Sequence, residues 1–212
     1  MRMEKSGAIR TNPKSDSEKK DKDKHKHLER ARETVIAHRN NSCIPDGIKI
    51  IEMESRMPFD GKKPDMIGVR VNKGQPVLCF IEYKCTKAAM NGNCRPVDHY
   101  LDIEKYYQYP FDYFEEFEKR LGEPVFLKGG ISKVKREIVF LFSHIGNGNE
   151  LTEKKVINSL QKILDEIVNI RNGTASEVRV VIINDENSVI RDKDFLSVDE
   201  AIKKLKEKRS IR

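Results

Sequence analysis

Tryptophan is absent from this 212-residue chain and aromatic residues make up only 7% of it. A platform of exposed rings on which bases stack is therefore not the binding mode to expect. No apolar run approaches the roughly 20 residues that cross a bilayer, and the polar, charged N-terminus does not read as a signal peptide. The expectation is an intracellular, cytoplasmic protein without a membrane partner. Cysteine is scarce: Cys43, Cys79, Cys85 and Cys94 are the four, at spacings that do not suggest a metal site. Cys79 and Cys85 fit small buried thiols, while Cys43 and Cys94 fall in loop-like stretches and are either free or paired. His25 and His27 lie in a lysine-rich run with no further ligand at metal-binding spacing, and read as solvated.

Charge, by contrast, is abundant. Charged residues are 35% of the chain, with a net charge of +7 and an isoelectric point near 9.1, which favours a polyanionic partner such as nucleic acid. Residues 1–24 contain almost nothing to bury and read as a flexible charged tail or a frayed helix start. Residues 25–212 suit a single domain with a substantial core.

Within that domain, Leu28, Ala31, Val35 and Ile36 recur at helical spacing up to a stop at Asn40-Asn41. Ile48 to Met53 reads as a strand, Pro58-Phe59-Asp60-Gly61 as a loop, and Met66 to Val71 and Val77 to Cys85 as two further strands. A Gly/Asn-rich stretch leads to an aromatic helical segment from Val97 to Leu121, which Pro110 interrupts. Then follow a strand at Glu137 to Phe142, a helix opened by Thr152 and closed near Gly173, a strand at Val178 to Ile183, and a last helix capped by Ser197 and Glu200. Continuous apolar strands separated by helices predict an α/β fold, a mixed central sheet with helices on both faces.

Three ionisable residues interrupt this apolar pattern. Glu82 and Lys84 end a run that otherwise reads as a buried strand, where charge is costly unless paired or metal-bound. With Lys73-Gly74 as a tight turn between Asn72 and Gln75, the hairpin register puts Asp65 opposite Glu82. Facing Cβ atoms would then lie about 4.5–5.5 Å apart, close enough for two carboxylates to share a cation. Glu82 and Lys84, two apart, share a face. Other acidic residues two before a lysine (Glu18, Asp60, Glu153) do not end an apolar strand, and the second Pro-Asp pair, Pro45-Asp46, precedes the first strand.

Pro64-Asp65 with Glu82-Tyr83-Lys84 resembles the motif of the PD-(D/E)xK nuclease superfamily, which includes type II restriction enzymes, archaeal Holliday-junction resolvases and RecB-like exonucleases. The element order also resembles that superfamily's restriction endonuclease-like αβββαβ core. The resemblance implies a DNA endonuclease dependent on Mg²⁺ or Mn²⁺, close in layout to the junction resolvases and acting on branched or structured DNA. A homodimer would place two active sites for paired cuts, and the aromatic segment Tyr100 to Phe117 has more large apolar residues than one helix face needs. It implies metal ligation by Asp65, Glu82 and the Tyr83 backbone carbonyl. Lys84 would orient or deprotonate the attacking water, or neutralise developing charge. Many relatives add a glutamate from the first helix, here Glu29 or alternatively Glu33, with Glu29 nearer the edge of the apolar stripe. Arg56, Lys62, Lys63 and Lys87 are candidate contacts to the nucleic-acid backbone. Length, basic tail and core further resemble a nuclease of spindle-shaped archaeal viruses, which would place the chain in a host cytoplasm. Two other functions stay open: a non-catalytic DNA-binding or assembly protein on the same fold, and a RecB-like exonuclease, whose Gln and Tyr pair is only approximated around Gln108.

Overall fold

A computed structural model describes residues 16–43, 47–53, 64–91, 95–104, 135–146, 151–169 and 177–210. Its elements are α1 (Asp16–Cys43), β1 (Lys49–Met53), β2 (Met66–Asn72), β3 (Gln75–Lys84), α2 (Pro96–Glu104), β4 (Lys135–Phe142), α3 (Glu153–Asn169), β5 (Glu177–Ile182) and α4 (Val198–Ser210). The five strands form one sheet in the order β1-β2-β3-β4-β5. β1, β2 and β3 run as an antiparallel meander, while β3, β4 and β5 are parallel. The sheet is thus mixed, and β2 alone runs against the rest.

The strands are apolar at successive positions because both faces are covered. On one face Phe80, Phe140, Phe142 and Val180 pack against Tyr100 and Ile103 of α2, Leu160 and Ile163 of α3, and Ala201 and Leu205 of α4. On the other, Met66, Ile81, Tyr83 and Leu141 pack with Ile36 and Ala37 of α1. Cys79 and Cys85 are buried in that second cluster, as free thiols on the face away from Glu82. Cys43 and Cys94 cannot be placed in this way: the side chain of the first and all of the second lie outside the described residues, as does most of the aromatic segment.

The helix ends follow their local chemistry. Thr152 Oγ1 accepts the Lys155 N–H at 3.4 Å at the head of α3. Ser197 and Glu200 exchange side-chain-to-backbone bonds of 2.7 and 3.2 Å at the head of α4, a reciprocal cap that satisfies two otherwise orphan donors.

The first helix departs from its expected form. It begins at Asp16, inside the stretch read as tail, and continues past Asn40-Asn41 to Cys43. Its buried stripe is Glu33, Ile36, Ala37 and Asn40, whereas Leu28 and Val35 are exposed. The asparagines do not stop the helix because their side chains find partners elsewhere: Asn40 Oδ1 accepts the Ile190 N–H, and Asn41 bonds both the N–H and the C=O of Ile50. No helix among the described residues is long and apolar enough to cross a membrane.

Candidate active site

The turn between β2 and β3 holds Lys73 at φ 50° and Gly74 at φ 75°, both positive as a type I′ hairpin requires. That geometry pairs Asn72 with Gln75 and, at the far end, Met66 with Ile81. Continuing the same register sets Asp65 opposite Glu82 and Pro64 opposite Tyr83, as the turn residues predict. Lys84 Nζ touches Glu82 Oε1 and lies 4.0 Å from Asp65 Oδ2. The three side chains therefore converge at the carboxyl end of β3. Lys84 is level there with Phe142 of β4, which is level with Ile182 of β5. This is the edge at which sheets of parallel strands bind ligands.

Pro64 has a definable part in this arrangement. Asp65 Oδ2 accepts the Tyr83 N–H at 2.8 Å, so the polar groups of Tyr83 face the β2 side. Those of Lys84 face β4, where its C=O accepts the Ser143 N–H at 3.2 Å. At this rung of an antiparallel ladder the facing residue would return an N–H to the Tyr83 carbonyl, but proline has none to give. The ladder ends here, with the Tyr83 carbonyl directed to the side of β3 on which Asp65 lies.

Glu82 is fully buried. Burial alone would raise its pKa, but Lys84 and His99 more than offset that and hold it below the usual carboxylate range. Asp65 behaves in the opposite way: withdrawal from water, then repulsion by Glu82, lift its pKa well above the ordinary value despite the attraction of Lys84 and the Tyr83 N–H. Lys84 loses hydration, which favours its neutral form, yet Glu82 and Asp65 together raise its pKa and keep it an ammonium.

The second fully buried strand glutamate, Glu137 of β4, gives the contrast. Arg70 Nε and Nη2 bond it at 2.9–3.0 Å, and Arg179 Nε and Lys135 Nζ stand 3.5 and 3.6 Å from its Oε1. Arg70 is further held by Asp192 and by the Phe195 ring, 4.3 Å from its guanidinium carbon. That cluster is saturated. On Glu82, Lys84 Nζ and His99 Nδ1 both crowd Oε1, and Oε2, though buried, has no hydrogen-bond partner among the described residues. A buried carboxylate oxygen without a donor costs free energy, and a cation beside Asp65 and the Tyr83 carbonyl would relieve it.

Helix α1 packs on β1, β3 and the short 3₁₀ turn Ala88–Met90 after β3. It brings both candidate glutamates near the site in different ways. Glu33 is buried and close enough to Asp65 to push its pKa up. Glu29 is half-buried, its Oε1 4.0 Å from Cys85 Sγ, and it adds to the field that keeps Lys84 charged. Glu29 borders the stripe Leu28, Ala31, Val35 and Ile36 that the spacing predicts; of these Ile36 is buried while Leu28 and Val35 are exposed, and the stripe that is buried includes Glu33. Lys87 is half-buried at the head of the 3₁₀ turn. Arg56, Lys62 and Lys63 lie outside the described residues.

His99 was not singled out from the sequence. It sits four residues before Ile103, a core residue of α2, and that helical spacing is the signal that could have found it.

Among the described residues, no three His, Cys, Asp or Glu side chains form a ready-made cage for a metal. A hard cation such as Mg²⁺ does not need one: one or two carboxylates suffice, with water and substrate phosphate as the other ligands. Asp65, Glu82 and the Tyr83 carbonyl make a donor set of that kind. No family model matches the chain, and no curated protein or solved structure shows significant similarity to it.

Proposed function

We propose that this chain is a metal-dependent nuclease of the PD-(D/E)xK superfamily that hydrolyses phosphodiester bonds in DNA. In layout it is closest to the archaeal junction resolvases, and it acts as a homodimer on branched or structured DNA. The observation that carries the reading is Glu82, buried on the central strand opposite Asp65 with Oε2 left without a donor, beside a lysine held charged. The observed order of helix, three strands, helix and strand, on a mixed sheet covered on both faces, supports a restriction endonuclease-like αβββαβ core.

Asp65, Glu82 and the Tyr83 carbonyl would hold Mg²⁺ or Mn²⁺, which lowers the pKa of a bound water and offsets charge on the phosphorane oxygens. The protein's own groups do the rest. Lys84, an ammonium with three donors and no acceptor, orients the attacking water and neutralises charge on the non-bridging oxygens. His99 fixes the rotamer of Glu82 from α2, and Glu33 adds negative field from α1. The net charge of +7 draws the polyanion in.

The test is incubation with labelled four-way junction, flap, duplex and single-stranded DNA in Mg²⁺, Mn²⁺ or EDTA. Cleavage of a structured substrate in either metal, abolished by EDTA, is the expected result. Binding without cleavage of any substrate would favour the non-catalytic DNA-binding reading instead.

A further inference from the structure

We propose that a cleft between the start of α2 and one face of α3 is a second phosphate subsite, holding a backbone phosphate of the bound strand one or two nucleotides from the scissile bond. The identity of the strand rests on the nuclease reading above; the cleft itself does not. Asn91, Arg95, Lys155, Ser159 and Lys162 line it, with Val97 among its apolar walls. Its volume is about 90 Å³, well below the roughly 300–1,000 Å³ of pockets that enclose a whole small molecule. A cleft this small, edged by three cations, suits a single anionic group.

The cations are not arranged as scattered surface lysines. Lys155, Ser159 and Lys162 follow one another at four and three residues, so they share one face of α3. Lys155 Nζ is tied to Asn91 Oδ1 at 3.2 Å. Arg95 uses Nε and Nη2 on Asp98, at 2.8 and 2.9 Å, and among the described residues its other guanidinium donors meet no acceptor. Lys162 is exposed and has no partner among the described residues. Two lysines and an arginine thus line one small opening, and among the described residues its lining includes no carboxylate, Asp98 reaching it only through Arg95. A phosphate is an anion of the size and charge to complete the set.

The cleft is tied to the candidate active site by the chain itself. The His99 N–H donates to the Arg95 C=O, so Arg95 precedes His99 by one helical turn, about 5.4 Å along the axis. A nucleic-acid strand carries a phosphate about every 3.4 Å of rise, which places the next one or two phosphates within reach. On the other wall, β3 runs from Lys84 into the turn that ends at Asn91, braced by the Ala89 N–H to Thr86 Oγ1 at 3.2 Å.

The experiment compares wild type, Lys162→Gln and Lys154→Gln as full-length proteins binding a labelled four-way junction without metal over a salt series. Lys154 is an exposed lysine of α3 outside the cleft lining, so the two variants lose the same charge. Lys162→Gln is expected to weaken binding several-fold and reduce the slope of log K against log salt by about 1, with Lys154→Gln unchanged. Equal effects of the two, or no effect of Lys162→Gln while wild type binds and cuts DNA, overturn the subsite and leave the nuclease reading standing. Failure of wild type to bind DNA overturns both. Binding of a labelled mononucleotide that is lost in Lys162→Gln overturns the subsite in favour of a small-molecule pocket.

Discussion

Glu82 and Glu137 sit on neighbouring strands, both without solvent exposure, and what meets them separates scaffold from site. Glu137 is enclosed by Arg70, Arg179 and Lys135; Glu82 shares a corner with Asp65 and keeps one oxygen without a donor. The strain of that corner falls on Asp65. Its folded pKa is raised above that of the unfolded chain, near 3.9, so the native state binds the proton more tightly. Stability from this group is therefore greatest in acid and falls as pH rises from about 4 through the folded pKa. Asp65→Asn keeps an acceptor for the Tyr83 N–H and removes the repulsion. Thermal melts are expected to show a higher Tm than wild type at about pH 7 and no difference near pH 3; a lower Tm at neutral pH would contradict the assignment. His99 acts on the same corner from α2. His99→Ala should lower metal-dependent cleavage about 10- to 100-fold, the usual effect of losing a group that orients a ligand. Circular dichroism should be unchanged, and an unaffected rate would remove His99 from the site.

At the scale of elements, the hairpin was legible because its cues are local. Lys73-Gly74 supports the tight turn, the two-residue loop sets the register, and alternation along β3 puts Glu82 and Lys84 on one face while Cys79 and Cys85 take the other. The first helix was not legible. Its buried stripe includes Glu33 and Asn40, polar residues whose acceptance in a buried position depends on tertiary partners: Asn40 reaches Ile190, at the other end of the chain. The Arg70–Glu137 pair was hidden for the same reason, since it needs the parallel pairing of β3 and β4 across a long crossover. Asn41 ties α1 to β1, because it bonds both polar groups of Ile50, at 2.7 and 2.8 Å. Asn41→Ala should cost about 1–3 kcal/mol in denaturant unfolding at an unchanged m-value. A cost near zero would mean that solvent takes over those bonds and that α1 is held by Ile36 and Ala37 alone.

Across the whole molecule, a five-stranded mixed sheet keeps two charged side chains dry at one edge, and the surrounding chain is strongly basic. The fold class and element order were readable from apolar periodicity. The aromatic segment expected to support a dimer lies mostly outside the described residues, and the part that is described, Tyr100 and Ile103, packs into the core. Binding to DNA is expected to weaken steeply with salt and to show little preference among duplexes of equal shape, each neutralised phosphate contributing about −0.9 to the slope of log K against log salt. A flat salt response would count against a phosphate-led interface. The most direct test of the central claim is a paired measurement on wild type and Glu82→Gln: cleavage of the junction, flap and duplex panel in Mg²⁺, alongside affinity for the same DNA in EDTA. The substitution keeps size and hydrogen bonding but removes one anionic metal ligand and its repulsion of the phosphate. The expected result is loss of metal-dependent cleavage with affinity equal to or slightly tighter than wild type; equal cleavage by the two proteins would contradict the account and place the chemistry elsewhere in the chain.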